Sequence, residues 1–126
     1  MVPFDVNDRG QVVGYAPANP DAPDTLEPVI WEDGRIRPVS GRWGSFHGTA
    51  WGINDRGEVV VSGHDASHAQ GTTDGAFVMA NGEFRPVPGP LAIPFDISHH
   101  GVAVGSVQDA SGFQRGIIWP TARTRP

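Results

Sequence analysis

The stretch Trp51-Gly52-Ile53-Asn54-Asp55-Arg56-Gly57-Glu58-Val59-Val60-Val61 decides the fold. Short runs rich in β-branched and aromatic residues flank Asn-Asp-Arg-Gly, a sequence suited to a tight hairpin. Asn and Asp side chains bond nearby backbone, and Gly accepts the positive φ of a bulged turn. The same grammar occurs at Phe4-Asp5-Val6-Asn7-Asp8-Arg9-Gly10 and at Phe95-Asp96-Ile97-Ser98-His99-His100-Gly101. In register, Asn7 to Asn54 is 47 positions and Asn54 to Ser98 is 44. Val12-Val13-Gly14 and Val102-Ala103-Val104-Gly105 follow the outer two turns as Val59-Val60-Val61 follows the middle one.

A second hairpin closes each unit. Val29-Ile30-Trp31 leads through Glu32-Asp33-Gly34 into Arg35-Ile36-Arg37-Pro38-Val39, and Phe77-Val78-Met79 leads through Ala80-Asn81-Gly82 into Glu83-Phe84-Arg85-Pro86-Val87. Ile117-Ile118-Trp119 opens the third such hairpin, with Arg123-Thr124-Arg125-Pro126 as its second strand. The fold class is therefore all-β. One domain, residues 1–126, consists of three tandem four-stranded β-meander repeats spanning about 2–49, 50–93 and 94–126. Variable middle loops run from Ala16 to Glu27, His64 to Gly75 and Val107 to Arg115, where insertions cost least. Strand alternation groups Phe4 with Val6, Trp51 with Ile53 and Phe95 with Ile97; these residues, with Trp31, Met79 and Trp119, are expected in the core.

Ile53-Asn54-Asp55-Arg56-Gly57-Glu58-Val59-Val60, its partner Val6-Asn7-Asp8-Arg9-Gly10-Gln11-Val12-Val13-Gly14, and Gly75-Ala76-Phe77-Val78 resemble the bacterial HAF repeat. The resemblance covers almost the whole chain. Gly75 stands where the eponymous His-Ala-Phe tripeptide has His, and the other units read Pro28-Val29-Ile30 and Gly116-Ile117-Ile118. The resemblance implies extracellular arrays of propeller-like architecture and no general activity.

Four-stranded units in tandem suit propeller blades, but such rings generally close with four to eight of them. Two chains of three units give six, so a homodimer completing a six-bladed ring is expected. A β-trefoil or β-prism is the alternative, closing three units within one chain.

The 17 Gly and 12 Pro, scattered without a three-residue period, fit a chain of many turns. Lys is absent; the 9 Arg face 14 acidic residues, the net charge is -5, and no stretch gathers the Arg into a stripe for a phosphate backbone, so nucleic acid is not an expected partner. Absence of Cys removes disulfides, thiolate nucleophiles and Cys-based zinc sites together. No apolar run reaches the length that spans a bilayer, so no membrane association is expected. Met1 leads at once into the first unit, which reads as cytoplasmic; removal of a signal peptide from a precursor leaves the same sequence, and then the expectation is extracellular.

Candidate chemistry centres on His47, His64, His68, His99 and His100. His64 and His68 have a spacing that holds a metal when a helix fixes both, but they lie in a Gly/Ser/Thr-rich loop, so no metal site and no cofactor is expected. His99 and His100 replace the Asp-Arg of the other turns, and a His pair near a carboxylate suits acid–base work near neutral pH. Asp5 and Asp96 occupy equivalent positions and serve either as acid–base carboxylates or as caps of turn amides. Trp43, Phe46 and His47, in the connector 40–50, offer either an edge cover or one wall of a pocket. No Gly-x-Ser-x-Gly elbow, phosphate loop or dinucleotide fingerprint is present.

Two functions follow. The first is a non-catalytic binding or interaction module for a small molecule, glycan or protein, with Trp43, Phe46, His47, His64 and His68 as ligand-binding candidates. The alternative is a small cofactor-independent enzyme of cyclase or lyase type, in which Asp5 or Asp96 works with His47, His99 or His100.

Overall fold

The computed structural model describes residues 1–17, 21, 25–66, 75–80, 83–87 and 92–120. Its described residues form eleven strands and no helix. The first sheet comprises β1 (Val2–Val6), β2 (Val12–Pro17), β3 (Leu26–Glu32) and β4 (Arg35–Pro38). The second comprises β5 (Phe46–Ile53), β6 (Val59–Asp65), β7 (Gly75–Ala80) and β8 (Glu83–Val87). The third comprises β9 (Ile93–Ile97), β10 (Val102–Gln108) and β11 (Gln114–Pro120). All three sheets are open and antiparallel, with strands in chain order. The expected last strand at Arg123 to Pro126 lies outside the described residues.

The turn chemistry acts as the side chains require. Asn7 Oδ1 accepts from the Arg9 and Gln11 amides, both at 3.0 Å, and Gly10 takes φ +78°. Asn54 Oδ1 accepts from Arg56 and Glu58 at 3.1 and 2.9 Å, with Gly57 at +82°. At the third turn Ser98 Oγ accepts from Val102 at 3.1 Å, and Gly101 lies at +84°. Asp33 and Gly34, both at positive φ, make the tight β3–β4 turn expected of Asp-Gly.

The three sheets stack in order. Val13 and Ile30 of the first sheet join Phe46, Ala50, Ile53, Val59, Val61 and Met79 of the second in one buried cluster. A second cluster joins Val60, Ala76, Val78 and Val87 to Ile97, Ala103 and Trp119 of the third sheet. Successive side chains of a strand point to opposite faces, so Val59 and Val61 meet the first sheet while Val60 meets the third. Both faces of the middle sheet are therefore core.

Polar links reinforce the stack. Asn7 Nδ2 donates to the Asn54 carbonyl and Asn54 Nδ2 donates to the Ser98 carbonyl, each at 2.9 Å. Asp5 Oδ2 accepts the Ile53 amide at 3.0 Å, and Asp55 Oδ1 accepts the Asp8 amide at 2.7 Å.

Two expectations require correction. β5 begins at Phe46, because Phe46 through Thr49 pair with Asp65 through Ser62; Phe46 and His47 are strand residues and do not belong to a connector. The aromatic residues of the first strands do not share a core face with the residue two positions on. Trp51 packs, partly buried, against the cluster between the second and third sheets, whereas Ile53 lies in the cluster against the first. Each first-strand aromatic is skipped by the pairing: the register jumps from Pro3 to Asp5, from Ala50 to Gly52, and from Pro94 to Asp96. The extra residue breaks the alternation and re-aims its side chain. Phe4 and Phe95 are thus 45% and 52% exposed, although Ile53 and Ile97 are buried as expected. Phe4 instead stacks on Trp51 at 5.2 Å between centroids, and Trp51 meets Phe95 edge to face at 6.1 Å. Met79 and Trp119 are buried as read, whereas Trp31 is on an open face.

Candidate functional site

The site arises beside a close approach of β5 and β6. Gly48 pairs with Gly63, and a Cβ on either would collide with the opposite strand's backbone, at the Ser62 or His47 carbonyl. Glycine at both positions permits this approach, with φ +153° and +148°. The next pair along the ladder is His47 opposite His64, their rings 5.4 Å apart and nearly perpendicular.

These imidazoles open on a cleft of about 560 Å³. Thr25 and Leu26 at the start of β3, Ser62 on β6, and Ala92 and Ile93 at the start of β9 supply other parts of its wall. Ser62 also accepts the Trp51 indole N–H at 2.8 Å, tying the cleft wall to the aromatic stack. The volume is that of a small-molecule site, and a mostly apolar wall with few polar groups is what such sites use to orient a ligand.

Glu27, the residue after Leu26, is fully buried. Its Oε1 accepts the Gly44 amide, and its Oε2 has no hydrogen-bond partner among the described residues. Burial pushes its carboxyl above the usual carboxylate range, while the Gly44 N–H and the charge of nearby His47 pull it partway back. A perturbed carboxyl close to a cleft is a functional signal that the sequence reading missed. The trace was present: Leu26-Glu27-Pro28-Val29-Ile30 places one carboxylate in an otherwise apolar strand.

The candidates divide between two ends of the stack. His47 and His64 converge on the cleft, whereas His68 lies outside the described residues. Phe46 is sealed in the core, edge to face with Phe77 and Phe84 at 5.4 Å, and presents no surface to a ligand. Trp43 is half exposed in the segment before β5 and does not line the cleft. Asp5 holds the Ile53 amide, and Asp96 Oδ1 accepts the Ile97 amide at 2.9 Å; both carboxylates act as backbone caps. His99 and His100 sit exposed on a turn, with His99 Nδ1 4.0 Å from Asp55 Oδ2.

At that turn end a smaller cleft of about 270 Å³ gathers Arg9, Arg37 and Arg56, residues far apart in sequence. Among the described residues no group of three His, Cys, Asp or Glu side chains is placed to hold a metal ion. No helix among them is long and apolar enough to cross a membrane. No family model, curated protein or solved structure matches this chain.

Proposed function

We propose that this chain is a non-catalytic binding module, built from three propeller-blade-like repeats, that takes a small molecule or short glycan in the His47–His64 cleft. The convergence of His47, His64, Ser62 and Thr25 on one cleft carries the reading, because it pairs an apolar floor with a few hydrogen-bonding groups. The caps made by Asp5 and Asp96 favour binding over acid–base chemistry by those residues, since both carboxylates already hold backbone amides. The blade reading is supported by the chain-order meanders, by the recurrence of the Asn turn bonds and by the resemblance to HAF repeats.

Calorimetry against a panel of glycans and polar metabolites tests this, with His64→Ala as the control. Binding by the parent that His64→Ala weakens supports the site. Equal binding by both variants moves the site elsewhere. One observation favours a second reading, a cofactor-independent enzyme: Glu27 is buried with a raised pKa and lies near His47. Turnover of a panel compound that Glu27→Gln abolishes would replace the first reading with the second.

A further inference from the structure

The two outer faces of the stack are the two halves of its internal interface. In the first sheet, Asp5, Val13 and Ile30 are directly paired across β1, β2 and β3. Val13 and Ile30 lie on the second sheet, 0% and 4% exposed. The third sheet carries the same three residue types in the same order: Asp96, Val104 and Ile118, paired across β9, β10 and β11. This row faces away from the second sheet, because its strand neighbours Ile97, Ala103 and Trp119 are the ones buried there. Ile118 is 67% exposed.

The receiving surface is duplicated too. The second sheet meets the first through the cross-strand row Ile53, Val59, Met79 and Phe84. The first sheet has Val6, Val12, Trp31 and Ile36 in the matching row, on the face away from the second sheet. Val6 is 59% exposed, and Trp31 and Ile36 are exposed as well.

We propose that two copies of this chain pair head to tail, the third sheet of each covering the first sheet of the other, so that six sheets close a ring. This rests on the blade reading above. A second copy is the fitting occupant because the Asp-Val-Ile row that covers the second sheet recurs, uncovered, on the third. The polar links have matching halves. Asp96 takes the part of Asp5 and accepts the Val6 amide of the other copy, while Asp8 takes the part of Asp55 and accepts the His99 amide. A two-fold axis makes both junctions equivalent. One link is missing: Ser98 stands where Asn7 and Asn54 each donate to the next turn.

Sedimentation of the whole chain at low and high micromolar concentration tests the pairing. The expected mass is twice 13.4 kDa. Ile118→Arg and Val6→Arg, both at exposed positions, are expected to sediment as single chains. Mixed together they are expected to pair better than either does alone but less tightly than the parent, since one junction is then unsubstituted and the other carries both substitutions. Ser98→Asn is expected to tighten the parent pair about five-fold per junction, the worth of one added hydrogen bond. A parent that stays monomeric, a pair untouched by both Arg variants, or a mixture that pairs no better than either variant alone would each overturn the proposal. Amide exchange separates this from failure of the blade reading. If Ile53 stays protected in monomeric Ile118→Arg, the internal stack is intact and the sedimentation results judge the pairing alone; if Ile53 exchanges freely, the stack itself is at fault.

Discussion

Replacing Asn54 with Ala removes four hydrogen bonds at one buried side chain. Its Oδ1 accepts from Arg56 and Glu58, and its Nδ2 donates to Glu58 Oε1 at 2.7 Å and to the Ser98 carbonyl at 2.9 Å. A typical hydrogen bond contributes about 1 kcal/mol net, and a buried group left unpaired costs about 1–3 kcal/mol. Water reaches part of this turn, so the expected loss is about 3–5 kcal/mol, a large share of the roughly 5–15 kcal/mol that holds a domain together. Ser98→Ala, at the corresponding place in the third turn, removes one 3.1 Å bond from an exposed side chain. Its expected cost is about 0.5–1 kcal/mol.

Urea unfolding followed by tryptophan fluorescence measures both variants, and an unchanged m-value confirms that the same surface is exposed on unfolding. Asn54→Asp adds a test of sign. It keeps the acceptor for the turn amides but sets an oxygen where Nδ2 faced Glu58 Oε1 and the Ser98 carbonyl. Its deficit should therefore deepen as pH rises and the introduced carboxyl ionises. If Asn54→Ala costs no more than Ser98→Ala, the link between sheets is solvated, and the claim that it helps hold the stack is wrong.

Glu27→Gln keeps an oxygen for the Gly44 amide but cannot ionise. Because the folded state raises the Glu27 pKa, it holds the proton more tightly than the unfolded chain. That contribution is lost as pH rises through the raised value, so the variant's stability relative to the parent should climb over that window; a constant difference would refute the burial argument. Met79→Ala, at a position 3% exposed between the first and second sheets, should cost about 2–5 kcal/mol in urea unfolding. A loss below about 1 kcal/mol would show that the sheets can close over the gap.

The turns were the most legible part of the sequence, because their bonds form within five residues. Asn7 and Asn54 bond amides two and four positions on, and Gly10, Gly57 and Gly101 supply the positive φ. Strand positions followed from the apolar runs between those turns. The facing of the first strands did not. One extra residue at Phe4, Trp51 and Phe95 shifts the alternation, and composition carries no mark of a bulge. Half of the site was legible as residue type and none of it as geometry. His47 and His64 are 17 positions apart, and only the β5–β6 register sets one opposite the other.

The same register explains why the cleft and the turns make separate contributions. Among the described residues, the Asn and Asp side chains that link one sheet to the next lie toward the turn end, and those of Asn7 and Asn54 are also held by short local bonds. The other end is built from the middle-loop boundaries at Leu26 and His64 and from the start of β9 at Ile93, whose sequences differ from unit to unit. The Asn and Asp links are therefore set apart from the cleft, where the contact is that of buried Glu27 with Gly44. On the binding reading proposed above, substitutions at His64 or Ser62 are expected to alter recognition without removing one of these Asn or Asp links.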